Sequence, residues 1–104
     1  NWDTENVTNL ANAFANDSQF NTDLNSWNTS KVSTLYKTFY NATNFNQPLN
    51  NWDTSKVTMF DSTFNNSSKF NQNITQWSVS ETSTHSNFHL GSSLTEMNTP
   101  KELW

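Results

Sequence analysis

Large apolar side chains recur every 25 residues along this chain, separated by mostly polar residues. Tryptophan stands near the start of each unit, at Trp2, Trp27, Trp52 and Trp77. Five further apolar positions follow in the same register, at Val7, Val32 and Val57; Leu10, Leu35 and Phe60; Phe14, Phe39 and Phe64; Phe20, Phe45 and Phe70; and Leu24, Leu49 and Ile74. A fixed period of this length is typical of solenoids, in which each repeat packs only on its neighbours.

This register predicts the organisation of the chain. We expect a single repeat domain over residues 1–104, made of coils at about 1–25, 26–50 and 51–75 and a degenerate C-terminal cap at 76–104, called repeats 1 to 4 below. Because the last repeat of a solenoid faces water, its loss of register predicts a cap that includes Leu94, Met97, Leu103 and Trp104. The chain begins inside a repeat, which we interpret as a piece of a longer chain.

The apolar spacing within each repeat predicts a short helix. Val7, Leu10 and Phe14 have the i, i+3, i+7 spacing of one helix face, and repeats 2 and 3 keep it. The predicted N-caps are Thr8, Ser33 and Thr58, with Asp3 and Asp53 as earlier alternatives. At the other end stand residues that tolerate the left-handed conformation closing a helix, namely Asn16, Asn41, Asn66 and Gly91.

The segment that returns to the next tryptophan predicts a short strand. In repeat 1 this is Phe20 to Trp27, with the strand near Leu24, and successive strands would pair in parallel about 4.8 Å apart. An asparagine follows the phenylalanine each time, at Asn21, Asn46 and Asn71. We interpret these as a ladder of buried amides that bond from one repeat to the next.

The aromatic residues predict the core. One tryptophan in each repeat at a strict period fits a buried stack better than a sugar-binding row. The predicted core therefore contains Trp27, Trp52, Trp77, Phe14, Phe39, Phe64, Phe20, Phe45 and Phe70.

The composition argues against several classes of function. The net charge is −4 with 13% charged residues and no basic run, which argues against nucleic-acid binding. No apolar stretch approaches the roughly 20 residues of a membrane span. Cysteine is absent, so structural disulfides are excluded. The repeats contain no acid/base pair, nucleophile triad or phosphate loop, so we predict neither an enzyme nor a cofactor.

One spacing in repeat 4 resembles a metal site. Glu81, His85 and His89 are spaced i, i+4, i+8 and would share one face of a helix. The segment is a degenerate cap without a fourth ligand nearby, so we predict solvated or half-buried histidines and no metal.

The run FNQPLNNWDTSKVT at Phe45–Thr58 resembles a bacterial surface-protein repeat of about 25 residues, found in mycoplasma lipoproteins and listeria-type cell-wall proteins. The resemblance covers residues 1–77, and its motif F-N-x-x-[LI]-x-x-W occurs three times. The repeat is similar to BspA-type leucine-rich repeats. The resemblance implies an α/β fold: a leucine-rich-repeat-like right-handed solenoid of about four coils, with short parallel strands on one side and short helices on the other. It also implies an extracellular, cell-surface location.

The less periodic residues of repeat 2 are the candidate contacts. Tyr36, Tyr40 and Lys37 are expected to be exposed and are plausible contact residues, although ordinary surface variation around a structural repeat is the favoured explanation. The leading hypothesis is a non-enzymatic surface module that binds a protein or glycan in adhesion. The alternative is a structural spacer that associates end to end through its open N-terminal repeat. Ice or mineral binding by Thr4, Thr29 and Thr54 is a third hypothesis, disfavoured because these residues also suit helix entry.

Overall fold

The computed structural model describes residues 3–104, and Trp2, the first member of the predicted tryptophan row, lies outside this range. The regular helices are two short 3-10 helices in repeat 4, Glu96–Asn98 and Lys101–Leu103. The described range contains no α-helix and no strand. The predicted α/β leucine-rich-repeat-like right-handed solenoid, with helices on one side and strands on the other, is therefore wrong in its elements.

Consecutive tight turns occupy the segment for which we predicted a helix. The Ala13 N–H donates to Leu10 O at 3.1 Å, and the Ala15 N–H donates to Asn12 O at 3.2 Å. Every fourth residue along this segment has a positive φ, as for Asn12 (60°), Asn16 (64°), Lys37 (54°), Asn41 (58°), Ser62 (57°), Asn66 (63°), Asn87 (57°) and Gly91 (80°). The left-handed conformation predicted at Asn16, Asn41, Asn66 and Gly91 is confirmed, but these residues complete tight turns instead of closing a helix.

Backbone bonds along the same segment join each repeat to the next. The N–H groups of Leu10, Asn12 and Phe14 donate to carbonyls in repeat 2, at 3.3, 2.9 and 2.9 Å. The same alternate pattern recurs between repeats 2 and 3 and between repeats 3 and 4. Parallel pairing is otherwise limited to isolated bridges, Asn9 with Thr34, Thr34 with Met59 and Met59 with Thr84. The return strand predicted near Leu24 is wrong, because the pairing between repeats runs through the turn segment.

Aromatic rings stack along the axis of the repeats and fill the core. The Phe39 ring lies 4.3 Å from Phe45 within repeat 2 and 5.4 Å from Phe64 of repeat 3, measured between centroids. The indole of Trp52 stacks at 6.3 Å on both Trp27 and Trp77. Because stacked rings bury a large apolar area in each repeat, a small number of apolar residues is enough to hold the repeats together.

Burial differs between the inner repeats and repeat 1. Phe39, Phe45, Phe64 and Phe70 are fully buried, as are Trp52 and Trp77. Phe14, Phe20 and Trp27 are only partly buried. Since no earlier repeat covers repeat 1 within the described range, its rings keep one side accessible.

Repeat 4 keeps the stack but changes its packing. Phe88 occupies the position of Thr38 and Thr63, one residue before the expected phenylalanine. It remains buried and meets the Phe64 ring edge-on at 5.4 Å. Leu94 and Leu103 belong to the same buried cluster. They complete the core at this end of the described residues.

Polar side chains also connect the repeats. Thr29 Oγ1 donates to Asp53 O at 3.1 Å and accepts the Asp53 N–H at 2.8 Å, and Thr54 repeats this pair with Ser78. The row of Thr4, Thr29 and Thr54 is buried, so it offers no surface for ice or mineral binding.

The predicted N-caps have another role. Ser33 N–H donates to Thr8 O at 2.8 Å, and Thr58 N–H donates to Ser33 O at 3.0 Å. These three exposed residues therefore link repeats, and the N-cap prediction is wrong because no helix follows them. Asp3 and Asp53, the alternative caps, instead accept the N–H two residues later in local turns.

Candidate binding surface

Tyr36, Lys37 and Tyr40 lie together on the outside of repeat 2. The Lys37 Nζ atom lies 5.3 Å from the centroid of the Tyr36 ring and 4.9 Å from that of the Tyr40 ring. All three side chains are half-buried, not fully exposed as the sequence suggested. An ammonium held near two aromatic faces is stabilised by cation–π attraction, so the three side chains form one cluster. We call it the Tyr–Lys cluster.

The turn segment fixes the backbone of this cluster. The Lys37 N–H donates to Asp61 O at 3.0 Å, and Lys37 O accepts the Tyr40 N–H at 3.2 Å. The Tyr36 N–H donates to Thr34 Oγ1 at 3.1 Å. Lysine at a φ of 54° is unfavourable, because left-handed backbone favours Gly and Asn. The Tyr–Lys cluster is thus presented from a backbone that the neighbouring repeats hold in place.

The adjacent repeats carry small or polar residues at the three positions of the cluster. Repeat 1 has Ala11, Asn12 and Ala15, and repeat 3 has Asp61, Ser62 and Asn65. The same turns form in both, so the fold does not require tyrosine or lysine here. The cluster offers two aromatic faces, two phenol hydroxyls and one ammonium. The aromatic faces can stack on a planar or sugar ring, and the hydroxyls and the ammonium can form hydrogen bonds with the polar groups of that ring.

The predicted structural asparagines form one ladder between repeats and one further bond. The Asn46 N–H donates to Asn21 Oδ1 at 2.8 Å, and the Asn71 N–H donates to Asn46 Oδ1 at 3.0 Å. Asn41 Nδ2 donates to Asn16 Oδ1 at 2.9 Å. The ladder is exposed, so the prediction that its amides are buried is wrong. Asn66 lies against Gly91, whose missing Cβ would fall 2.3 Å from Asn66 Oδ1.

The tryptophan row is not a ligand surface in the inner repeats. Trp52 Nε1 donates to Leu24 O at 2.9 Å and Trp77 Nε1 donates to Leu49 O at 3.0 Å, both in buried surroundings. The indoles thus have their faces in the stack and their N–H groups on the preceding repeat.

The metal-like spacing in repeat 4 does not form a site. Residues 81–89 contain turns, bends and the bridge at Thr84 but no helix, so Glu81, His85 and His89 do not share a helix face. Among residues 3–104, no three His, Cys, Asp or Glu side chains are grouped so that they could hold a metal ion. His89 instead stacks on Trp104, with ring centroids 4.2 Å apart.

The sequence did not reveal a groove beside this stack. It has a volume of about 480 Å³ and lies between the turn segment of repeat 4 and the C-terminal tail. Its wall includes the exposed Leu90 and Trp104 and the buried Phe88 and Leu103. The only signal in the sequence was the cluster of apolar residues at the end of the chain, which we had assigned to a cap.

Comparison with protein families identified a family that covers almost the whole chain. The model of the family described as "Mycoplasma protein of unknown function, DUF285" matches residues 1–103. Searches of curated proteins and of solved structures found no match. Within residues 3–104, none of the helices has the length and apolar character needed to cross a membrane.

Proposed function

We propose that this chain, which belongs to the Mycoplasma protein family of unknown function DUF285, is a non-enzymatic binding module of a cell-surface repeat protein. In this proposal the module is extracellular, and the outer side of its central repeats contacts a protein or glycan of a host or neighbouring cell. The likeness to BspA-type repeats, which is a likeness of sequence motif, supports the proposed role at the cell surface.

The Tyr–Lys cluster is the observation that carries the proposal. It places two tyrosine rings around one ammonium, at positions where repeats 1 and 3 manage with alanine, asparagine, serine or aspartate. Tyrosine supplies contact area at a small loss of conformational freedom, which is why it is frequent at binding hot spots. The lysine keeps an unfavourable left-handed backbone that asparagine would adopt more easily.

Repeat 1 supplies the matched variant for the test. The triple substitution Tyr36→Ala, Lys37→Asn and Tyr40→Ala gives repeat 2 the residues that repeat 1 already carries at Ala11, Asn12 and Ala15. We expect labelled parent protein to bind cultured host-type cells or a glycan array saturably. The triple variant should bind at least tenfold more weakly, about 1.4 kcal/mol, with an unchanged fold.

The control is Lys56→Ala, which removes an exposed lysine outside the cluster. Equal binding by parent and triple variant, or no binding by the parent to any cell or glycan, would contradict the proposal.

A structural spacer that associates end to end is the second candidate function. The accessible side of repeat 1 favours it: the carbonyls of Asn9, Ala11, Ala13 and Ala15 accept no hydrogen bond from any residue in the described range. Their counterparts in repeat 2 each accept one. Sedimentation over a range of concentrations discriminates between the two functions, since a spacer of this kind should grow in mass as concentration rises and a monomer at all concentrations counts against it.

A further inference from the structure

The last turn segment of the array has a row of unused backbone donors. In repeat 2 the N–H groups of Leu35, Lys37, Phe39 and Asn41 all donate to repeat 3. The corresponding groups in repeat 4 are those of His85, Asn87, His89 and Gly91, and none donates a hydrogen bond to any residue of the described chain. Unpaired backbone donors along an edge are a template for pairing with another chain segment.

The groove runs along this row of donors. His85, Asn87, His89 and Gly91 all line it, and the opposite wall includes Leu103 and Trp104 of the tail. The free donors therefore border a cavity of about 480 Å³ that also has apolar walls. Peptide capture at an edge requires backbone donors, which provide affinity, and an apolar cavity, which selects the side chains of the peptide.

We propose that this groove captures a single polypeptide segment of another protein, whose alternate backbone carbonyls accept the N–H groups of residues 85, 87, 89 and 91. The three contacts between successive repeats define the chemistry of the segment, because each uses the same alternate donors and acceptors. A segment that follows this path needs Asn, Gly or Ser at every fourth residue, as the positive φ of Asn87 and Gly91 shows for the edge itself. It also needs an apolar side chain to fill the cavity.

The C-terminal tail favours the binding of a single segment over the stacking of a whole repeat at this end. Leu94 and Leu103 are buried and complete the core at this end, so the stacked rings below them are already covered. The accessible rings of repeat 1 in a second copy would meet this tail instead of an open ring stack, so end-to-end growth, the second candidate function, would have to displace the tail. The backbone donors remain free beside the tail, so the occupant that we propose is a single segment.

A synthetic peptide of this chain itself is a suitable probe. The peptide Thr58–Asn66, with blocked ends, contains the carbonyls of residues 59, 61, 63 and 65 that repeat 2 uses in the array. The control peptide carries Ser62→Val and Asn66→Val, because a β-branched residue resists the positive φ that both positions adopt in the array.

The readout is amide hydrogen exchange of the complete chain, measured by NMR with and without peptide. We expect the N–H groups of residues 85, 87, 89 and 91 to exchange at least about fivefold more slowly with the peptide, and at an unchanged rate with the control peptide. Phe88, Leu90 and Ser92 are internal controls, because their N–H groups already donate to carbonyls of repeat 4 and should change little.

Two variants test the groove wall. Trp104→Ala should weaken peptide binding at least fivefold, because it removes an apolar wall, whereas Met97→Ala should not, since Met97 is 87% exposed and does not line the groove.

Several results would overturn the proposal: no chemical-shift change at millimolar peptide, slower exchange at other amides, or equal binding of the control peptide. Slower exchange of the four amides on raising the protein concentration alone would assign the edge to a second copy instead.

Discussion

Trp52 shows at the residue scale how one side chain serves both the core and the backbone of the array. Its indole stacks on the tryptophans of both neighbouring repeats, and its N–H satisfies the buried Leu24 carbonyl at 2.9 Å. Replacing it removes apolar contact at two interfaces and one of the two hydrogen bonds that the Leu24 carbonyl accepts, the other coming from the Trp27 N–H at 3.1 Å.

We expect Trp52→Ala to lower the free energy of unfolding by about 3–5 kcal/mol. Trp104→Ala is the matched control, because Trp104 is 47% exposed and has one stacking partner, and it should lower stability by no more than about 1 kcal/mol. Chemical denaturation of both variants is the measurement. Equal midpoints would mean that the tryptophan row does not hold the repeats together.

Asp53 gives a second residue-scale prediction, on pH dependence. Hydrogen bonds from the Ser55 side chain and backbone lower the pKa of Asp53 below its ordinary value of 3.8, with a smaller effect from Lys56. A carboxyl whose pKa is lower in the folded state stabilises the fold above the unfolded pKa, and this contribution is lost as the pH falls through the folded pKa.

The melting temperature of the parent protein should fall as the pH drops below the ordinary pKa of Asp53. Asp53→Asn should therefore reduce this fall and change the fold little. Repeat 2 supports the choice, because Asn28 stands at the same position and accepts the Ser30 N–H at 3.0 Å. Thermal melts of parent and variant from neutral to strongly acid pH make the comparison. Parallel curves for the two proteins would count against a role of Asp53 in acid sensitivity.

At the scale of the element, the recurring unit is a run of tight turns that the apolar spacing alone does not distinguish from a helix. An apolar residue at i, i+3 and i+7 fits one helix face, but it also fits turns that repeat every four residues. The left-handed residue every fourth position decides between them, because it prevents the continuous i to i−4 bonding of a helix.

The asparagine at the end of each run is open to a direct test. Asn41→Ala places a Cβ-bearing residue without a helpful amide at a φ of 58° and should cost about 1–2 kcal/mol. Asn41→Gly also loses the bond to Asn16 but fits the backbone, as Gly91 does in repeat 4, and should cost less than the alanine variant. Denaturation midpoints in the opposite order would show that the amide bond outweighs the backbone conformation.

The sequence predicted which residues are equivalent and which would stack, because the 25-residue register is fixed by large side chains that must meet. It also placed four of the eight left-handed residues of the described range, since Asn and Gly mark such positions. The other four share one repeat position, at Asn12, Lys37, Ser62 and Asn87, and were missed because Lys and Ser in repeats 2 and 3 do not signal a positive φ. The helix and strand predictions failed because a periodic apolar pattern records which side chains face inward, not where the backbone N–H groups donate.

The Tyr–Lys cluster was anticipated only in part. Its residues stood out as departures from the repeat, but their contact needs the turn that places Lys37 between the two rings. The groove in repeat 4 was missed, since it depends on the path of the tail back across the turn segment.

At the scale of the whole molecule, the array is protected unevenly from one end to the other. The rings of Phe14 and Phe20 are partly accessible, whereas Phe39 and Phe45 in repeat 2 are completely covered. Local opening takes less free energy where fewer apolar contacts must break.

Hydrogen exchange should reveal this gradient. We expect the N–H groups of Asn12 and Phe14 to exchange faster than those of Lys37 and Phe39, although all four donate to the following repeat at 2.9 to 3.0 Å. Because the bonds are alike, a difference in rate reports the packing around them. Equal rates would indicate that the array opens only as a whole.

The backbone bonds of the turn segment run in one direction, with donors of each repeat facing acceptors of the next. Each repeat therefore presents to the following repeat the same backbone N–H groups as the repeat before it did. An in-frame tandem duplication of one complete unit in the coding sequence would insert a layer and leave every other contact as it was, whereas a duplication of another length would misalign the rings. The length of such a protein can thus change by recombination in whole units, while selection acts separately on the few outward residues that differ between them.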